Sequence, residues 1–180
     1  MAIRFYVGHG ASGSAASMAA HVRGLVARGV DAKAIDLPLR KAEAAVPALR
    51  AIVPDGPAAP GADGSRIAVG GQSYGGRVAS LAAAEPDTEY AALVLFSFPL
   101  HPPGRPDQAE VRSAHFPAIR CPVLLLSGES DPFARIGLLR ERVTLLHEAE
   151  LVTYPNLGHT LRPVLDDALE RTARFLLANA

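Results

Sequence analysis

Gly71-Gln72-Ser73-Tyr74-Gly75 holds a serine with a glycine two residues away on either side. That spacing suits a sharp strand-to-helix turn that exposes the serine hydroxyl. The flanking positions must then be small, because the strand and helix backbones nearly touch. A hydroxyl is a poor nucleophile until a base removes its proton, and a histidine can do this near neutral pH. His159 ends the stretch Asn156-Leu157-Gly158-His159, and Asp131 lies in Gly128-Glu129-Ser130-Asp131-Pro132. An acid on the second imidazole nitrogen fixes the tautomer and stabilises the imidazolium. Glu129 competes for that role, but Asp131 sits further out on its turn.

The tetrahedral oxyanion of such chemistry needs two backbone N–H donors aimed at one point. By position these are Tyr74, which follows the serine, and Ala11 in the early loop His9-Gly10-Ala11-Ser12, with Gly10 the near alternative. His9 reads as a structural residue. Gly10, Gln72, His101 and Arg105 are the expected substrate-binding residues. His101 and Arg105 belong to the proline-rich stretch that follows the fourth strand, and Arg105 would favour an anionic group if it pointed inward.

The elements that must position these residues alternate. Short β-rich runs are read at 3–7, 30–37, 66–70, 90–98, 123–127 and 151–154. Between them, apolar residues recur at helical spacing: Met18, Val22, Leu25 and Val26; residues 40–53, with a kink or restart at Pro47; residues 74–84; then Ile136, Leu139, Val143 and Leu146; and finally Leu165, Leu169, Thr172, Phe175 and Leu176. Residues 54–64 read as a surface loop and residues 99–120 as an irregular connection rich in Pro and His. Strand-helix alternation implies a parallel sheet covered on both faces, an α/β/α sandwich of three layers. Right-handed crossovers with one reversal of direction give six parallel strands in the order 2-1-3-4-5-6. Sites in such sheets lie beyond the carboxyl ends of the strands. Ser73, Asp131 and His159 follow the third, fifth and sixth of them.

Composition narrows the classes. At 180 residues the chain is one domain's worth, and Lys+Arg and Asp+Glu both number 18. Zero formal net charge argues against a nucleic-acid binder or a polybasic membrane binder. The single cysteine, Cys121, excludes an internal disulfide and a cysteine-based zinc cluster, and reads as a buried, inert thiol. No His/Asp/Glu spacing resembles a metal centre, and no cofactor is expected. The first residues lack the apolar stretch of a signal peptide, and no run approaches a membrane span, so the expected compartment is the cytoplasm. A competing pattern is Gly8-His9-Gly10-Ala11-Ser12-Gly13, which fits a dinucleotide-binding loop, with Asp36 23 residues further on near the place of a ribose-binding acid. Against it, Val78 stands where a Tyr74-based dehydrogenase pair would need lysine.

The pieces GHGAS, GQSYGG, FPLHPPG and SGESDPF resemble the α/β-hydrolase superfamily along nearly the whole chain. The resemblance is to a small, uncapped member comparable to dienelactone-hydrolase-like proteins. It is strongest to a family of small predicted hydrolases whose animal relatives include a testis-expressed protein and a subunit of a histone-acetyltransferase complex. It implies a triad of Ser73, Asp131 and His159. It departs from the usual pattern in opening at the strand before the oxyanion loop, so the antiparallel edge hairpin is expected to be missing. Serine stands where dienelactone hydrolases use cysteine, so lactone specificity does not carry over.

The leading expectation is a serine hydrolase acting on a small carboxylic ester or thioester. A non-catalytic interaction module on the same fold and a dinucleotide-binding oxidoreductase are the alternatives.

Overall fold

The computed structural model describes residues 2–53 and 64–180. The surface loop expected at 54–64 lies outside the described residues apart from Gly64. Six strands form one parallel sheet: β1 (Ile3–Gly8), β2 (Asp31–Ile35), β3 (Arg66–Gln72), β4 (Ala92–Phe96), β5 (Val123–Gly128) and β6 (Ala149–Tyr154). Their order is β2-β1-β3-β4-β5-β6, as the alternation implies. Among the described residues no antiparallel strand precedes β1.

β4 is buried at every position, as a strand covered on both faces must be. Its side chains alternate between two cores. Leu93 and Leu95 join Tyr6, Val69, Val123 and Leu125 on one face. There they meet α2 (Ala42–Ile52), α3 (Tyr74–Ala83) and α5 (Ile136–Val143) through Leu49, Val78 and Leu139. Val94 and Phe96 join Phe5, Val7, Leu124 and Leu126 on the other face. There they meet α1 (Ala19–Val26) and α6 (Leu165–Ala178) through Leu25, Leu169 and Leu176. These are the three expected layers.

Two local expectations change. α2 runs unbroken through Pro47. The connection between β4 and β5 is not wholly irregular: it carries a short helix, α4 (Ala109–Ser113), flanked by 3-10 turns. Nothing in it builds a cap. Among the described residues no helix is long and apolar enough to cross a membrane. Cys121 is buried, and burial pushes its thiol up to about 12.

Burial also sets a pH dependence. His21 packs edge-on against Phe96, with centroids 5.3 Å apart, and desolvation lowers its pKa from 6.5 to about 4. His115, bonded through Nε2 to Ser80 Oγ at 2.9 Å, is lowered to about 4 by desolvation and then by the Arg77 charge. As pH falls below 6.5 the unfolded chain takes up these protons and the folded chain does not. Stability is therefore full above about 6.5 and declines down to about 4, by at most on the order of 3 kcal/mol per histidine. Melting temperature measured between pH 7.5 and 4 is expected to fall across that window. His21→Phe should remove about half of the histidine-dependent slope. A melting temperature flat down to pH 4.5 would contradict this.

Candidate active site

The turn from β3 into α3 holds Ser73 at φ 49° and ψ −110°, a conformation rarely open to a residue with a side chain. Its neighbours explain how the turn is tolerated. A Cβ on Gly71 would lie 2.5 Å from the Gly75 carbonyl carbon and 2.7 Å from Gly8 O. A Cβ on Gly75 would run into the Gly8 carbonyl. Both glycines are therefore required by backbone approach, the reason for the spacing read in the sequence. Ser73 N donates to Phe96 O at 2.8 Å and Gly75 N to His9 O at 2.9 Å, which ties the turn to β4 and to the first loop.

The acid stands on the loop after β5. Asp131 is 4% exposed. Its Oδ1 accepts from Phe133 N at 2.8 Å, and its Oδ2 lies 2.8 Å from His159 Nδ1. Glu129 is engaged elsewhere, accepting from Thr153 Oγ1 at 2.8 Å and Arg140 at 3.1 Å. His159, on the loop after β6, places Nε2 2.8 Å from Ser73 Oγ. A carboxylate at Nδ1 keeps the proton there and leaves Nε2 to accept from the hydroxyl. The Phe133 ring lies against the imidazole, with centroids 4.5 Å apart. The two loops touch through backbone: Ser130 N donates to Leu157 O at 2.8 Å, and any Cβ on Gly128 would strike the carbonyl oxygens of Leu157 and Gly158. Gly128 thus lets the histidine loop approach the acid loop, a requirement set by residues about 30 positions away.

The first loop is held by His9. That residue is 1% exposed, donates from Nδ1 to Gly10 O at 2.8 Å and accepts at Nε2 from Leu37 N at 3.0 Å. It is scaffold. Among the described residues the N–H groups of Ala11 and Tyr74 have no protein acceptor. Ala11, Ser73 and Tyr74 line one cavity of about 470 Å³. Gly10 and Gln72 line a second, of about 310 Å³. Two such N–H groups beside a hydroxyl that is bonded to an imidazole form an arrangement that can receive an oxyanion. Asp36 accepts from Ala15 N at 2.7 Å and so steadies the turn that leaves the glycine-rich loop.

Two expected substrate contacts are not in place. His101 is buried, and both its ring nitrogens are used: Nδ1 donates to Pro102 O at 2.8 Å and Nε2 accepts from Arg135 N at 3.0 Å. With His101 N donating to Phe133 O at 2.9 Å, this residue clamps the acid loop and does not face a substrate. Arg105 points outward into a two-bond pair with Asp107, at 3.0 and 2.9 Å, and lines neither cavity. The cations facing Ser73 are instead Arg40, Lys41, Arg77 and Arg112. Among the described residues no group of three or more His, Cys, Asp or Glu side chains could hold a metal ion.

Residues 4–178 match the family model of the alpha/beta hydrolase domain. The chain belongs to the alpha/beta hydrolase family. Membership places it among hydrolases. Among solved structures it is similar to a monoacylglycerol lipase from Paleococcus ferrophilus, with a TM-score of 0.81 at 14% identity over 98% of this chain and 95% of that one. It is also similar to Est1E from Butyrivibrio proteoclasticus, with a TM-score of 0.75 at 19% identity over 99% and 88%. A predicted CIB-like hydrolase from Thermoplasma acidophilum gives a TM-score of 0.72 at 18% identity over 96% and 85%. At such identities the likeness is one of fold. No curated protein is significantly similar in sequence.

Proposed function

We propose that the protein is a serine hydrolase that cleaves a small carboxylic ester or thioester through an acyl-enzyme on Ser73. The observation that carries this reading is the unbroken chain Ser73 Oγ, His159, Asp131, with both links at 2.8 Å, on the ends of three parallel strands.

The steps follow from the groups present. Ser73 Oγ adds to the substrate carbonyl carbon as its proton passes to His159 Nε2, and Asp131 stabilises the imidazolium. The carbonyl π electrons move to oxygen, and the N–H groups of Ala11 and Tyr74 receive the resulting oxyanion. Collapse of the tetrahedral species breaks the bond to the leaving oxygen or sulfur, which takes the proton back from His159. Water then adds to the acyl-enzyme with His159 again as base, releasing the carboxylic acid and restoring Ser73.

The reading also limits substrate size. The β4–β5 connection forms turns and one five-residue helix, and Val111 on that helix is 75% exposed at the cavity mouth. A long acyl chain finds little wall there. Hydrolysis of 4-nitrophenyl esters from acetate to dodecanoate is the test. Turnover should be highest for two to six carbons and decline by at least about tenfold at twelve, the factor that ~1.4 kcal/mol of lost contact represents. A profile that climbs to the longest chain would contradict the open site, and no turnover of any member would contradict the reading itself.

A further inference from the structure

The cavity that holds Ser73 is charged in one sense although the chain as a whole is neutral. Arg40, Lys41, Arg77 and Arg112 line it against a single carboxylate, Glu43. Arg77 takes that carboxylate at 2.6 Å and spends a second nitrogen on Arg112 O at 3.0 Å. Arg112 is half-buried, and among the described residues its guanidinium makes one hydrogen bond, to Pro99 O at 3.2 Å. Among the described residues no carboxylate comes within 4 Å of the charged groups of Arg112, Arg40 or Lys41. Burial, then the Arg77 charge, hold the Arg112 guanidinium below its usual range, and the Glu43 charge offsets them only in part. A half-buried cation beside another cation is stabilised when a further anion joins it. The same cavity is also lined by the apolar residues Ala11, Pro99, Val111 and Phe133.

Resting on the hydrolase reading, we propose that the Ser73 cavity takes an acyl group with a short hydrocarbon segment ending in a carboxylate, so that the preferred substrate is a half-ester or half-thioester of a dicarboxylic acid. The acyl side is indicated because the leaving atom must lie against His159 Nε2 to be protonated. Thr160 and Leu161, which follow His159, line the second cavity, whereas Phe133, packed on the imidazole, lines this one beside Ser73, Ala11 and Tyr74. The second cavity is lined by the polar residues Ser12, Ser17, Gln72 and Thr160 and suits an alcohol. The terminal carboxylate meets Arg112, with Lys41 and Arg40 at the rim.

The test compares two 4-nitrophenyl esters of equal carbon count, the adipate half-ester and the hexanoate. At low salt the wild type should favour the adipate ester in kcat/KM by at least about tenfold, and the preference should shrink as sodium chloride rises to about 0.5 M. Arg112→Gln should bring the ratio close to one, and Arg40→Gln with Lys41→Gln, both exposed, should lower it by roughly threefold. Arg174→Gln, on the far surface of α6, should not move it. If Arg112→Gln does not fold by circular dichroism, the exposed pair decides. Equal or better turnover of hexanoate by the wild type, or a preference that survives both the Arg112 and the paired variants, overturns the proposal. So does a larger gain when the carboxylate is placed on the leaving group, as in the hexanoate ester of 4-hydroxybenzoate. Hexanoate turnover with no carboxylate preference defeats this inference alone. Failure of both esters, together with an unreactive Ser73, defeats the hydrolase reading with it.

Discussion

His159→Ala is expected to lower kcat on a short-chain ester by about 10⁵-fold or more, the scale on which removal of the base costs a serine hydrolase its whole nucleophile. The imidazole is the group placed to take the Ser73 proton, since its Nε2 lies 2.8 Å from Oγ. The fold should survive the change. His159 stands on a loop with 26% of its side chain exposed, packed against the Phe133 ring. Circular dichroism and melting temperature close to wild type, combined with lost turnover, are the expected pair of results. Equal activity in a folded His159→Ala protein would show that the 2.8 Å contact has no chemical role.

Asp131→Asn is expected to cost about 10⁴-fold in kcat, with KM little changed. The substitution keeps the size of the side chain, and its oxygen can still accept from Phe133 N, the bond Oδ1 now takes at 2.8 Å. The amide nitrogen would then face His159 Nδ1 as a donor. The imidazole would answer by moving its proton to Nε2, which can no longer accept from Ser73. Asp131→Glu should recover little, because the carboxylate is fully buried on a loop held by His101 and has no room to shift. Steady-state kinetics on one ester checks both substitutions. A drop below tenfold for Asp131→Asn would point to Glu129 or solvent as the functional acid.

The strand ends were readable because the chain alternates cleanly between apolar strands and helical spacing, and a parallel sheet sends every functional loop to one edge. That placed Ser73, Asp131 and His159 at one edge of the sheet, on the loops after the third, fifth and sixth strands. Three things were not readable, each for a physical reason. His101 follows a strand end just as a cavity-facing histidine would, and only the long-range bond from Arg135 N reveals a clamp. Arg112 sits on a five-residue helix, too short to show a period, inside a stretch that reads as irregular, so Arg105 looked the better cation. Gly128 looks like any glycine at a turn, whereas its need arises from the carbonyls of Leu157 and Gly158. β6 also begins two residues before its apolar run, at Ala149, because its first residues are exposed at the sheet edge and follow no burial pattern.

The central claim is that Ser73 is an activated nucleophile, and labelling with a small fluorophosphonate at neutral pH tests it most directly. The reagent reports a nucleophile, its base and an oxyanion site acting together. The wild type should be modified stoichiometrically at Ser73, as read by mass spectrometry of the intact chain and of the elbow peptide, and Ser73→Ala should take up none. A folded wild type that stays unlabelled would contradict the account, since Ser73 opens on a cavity large enough for the probe. So would label that persists in Ser73→Ala.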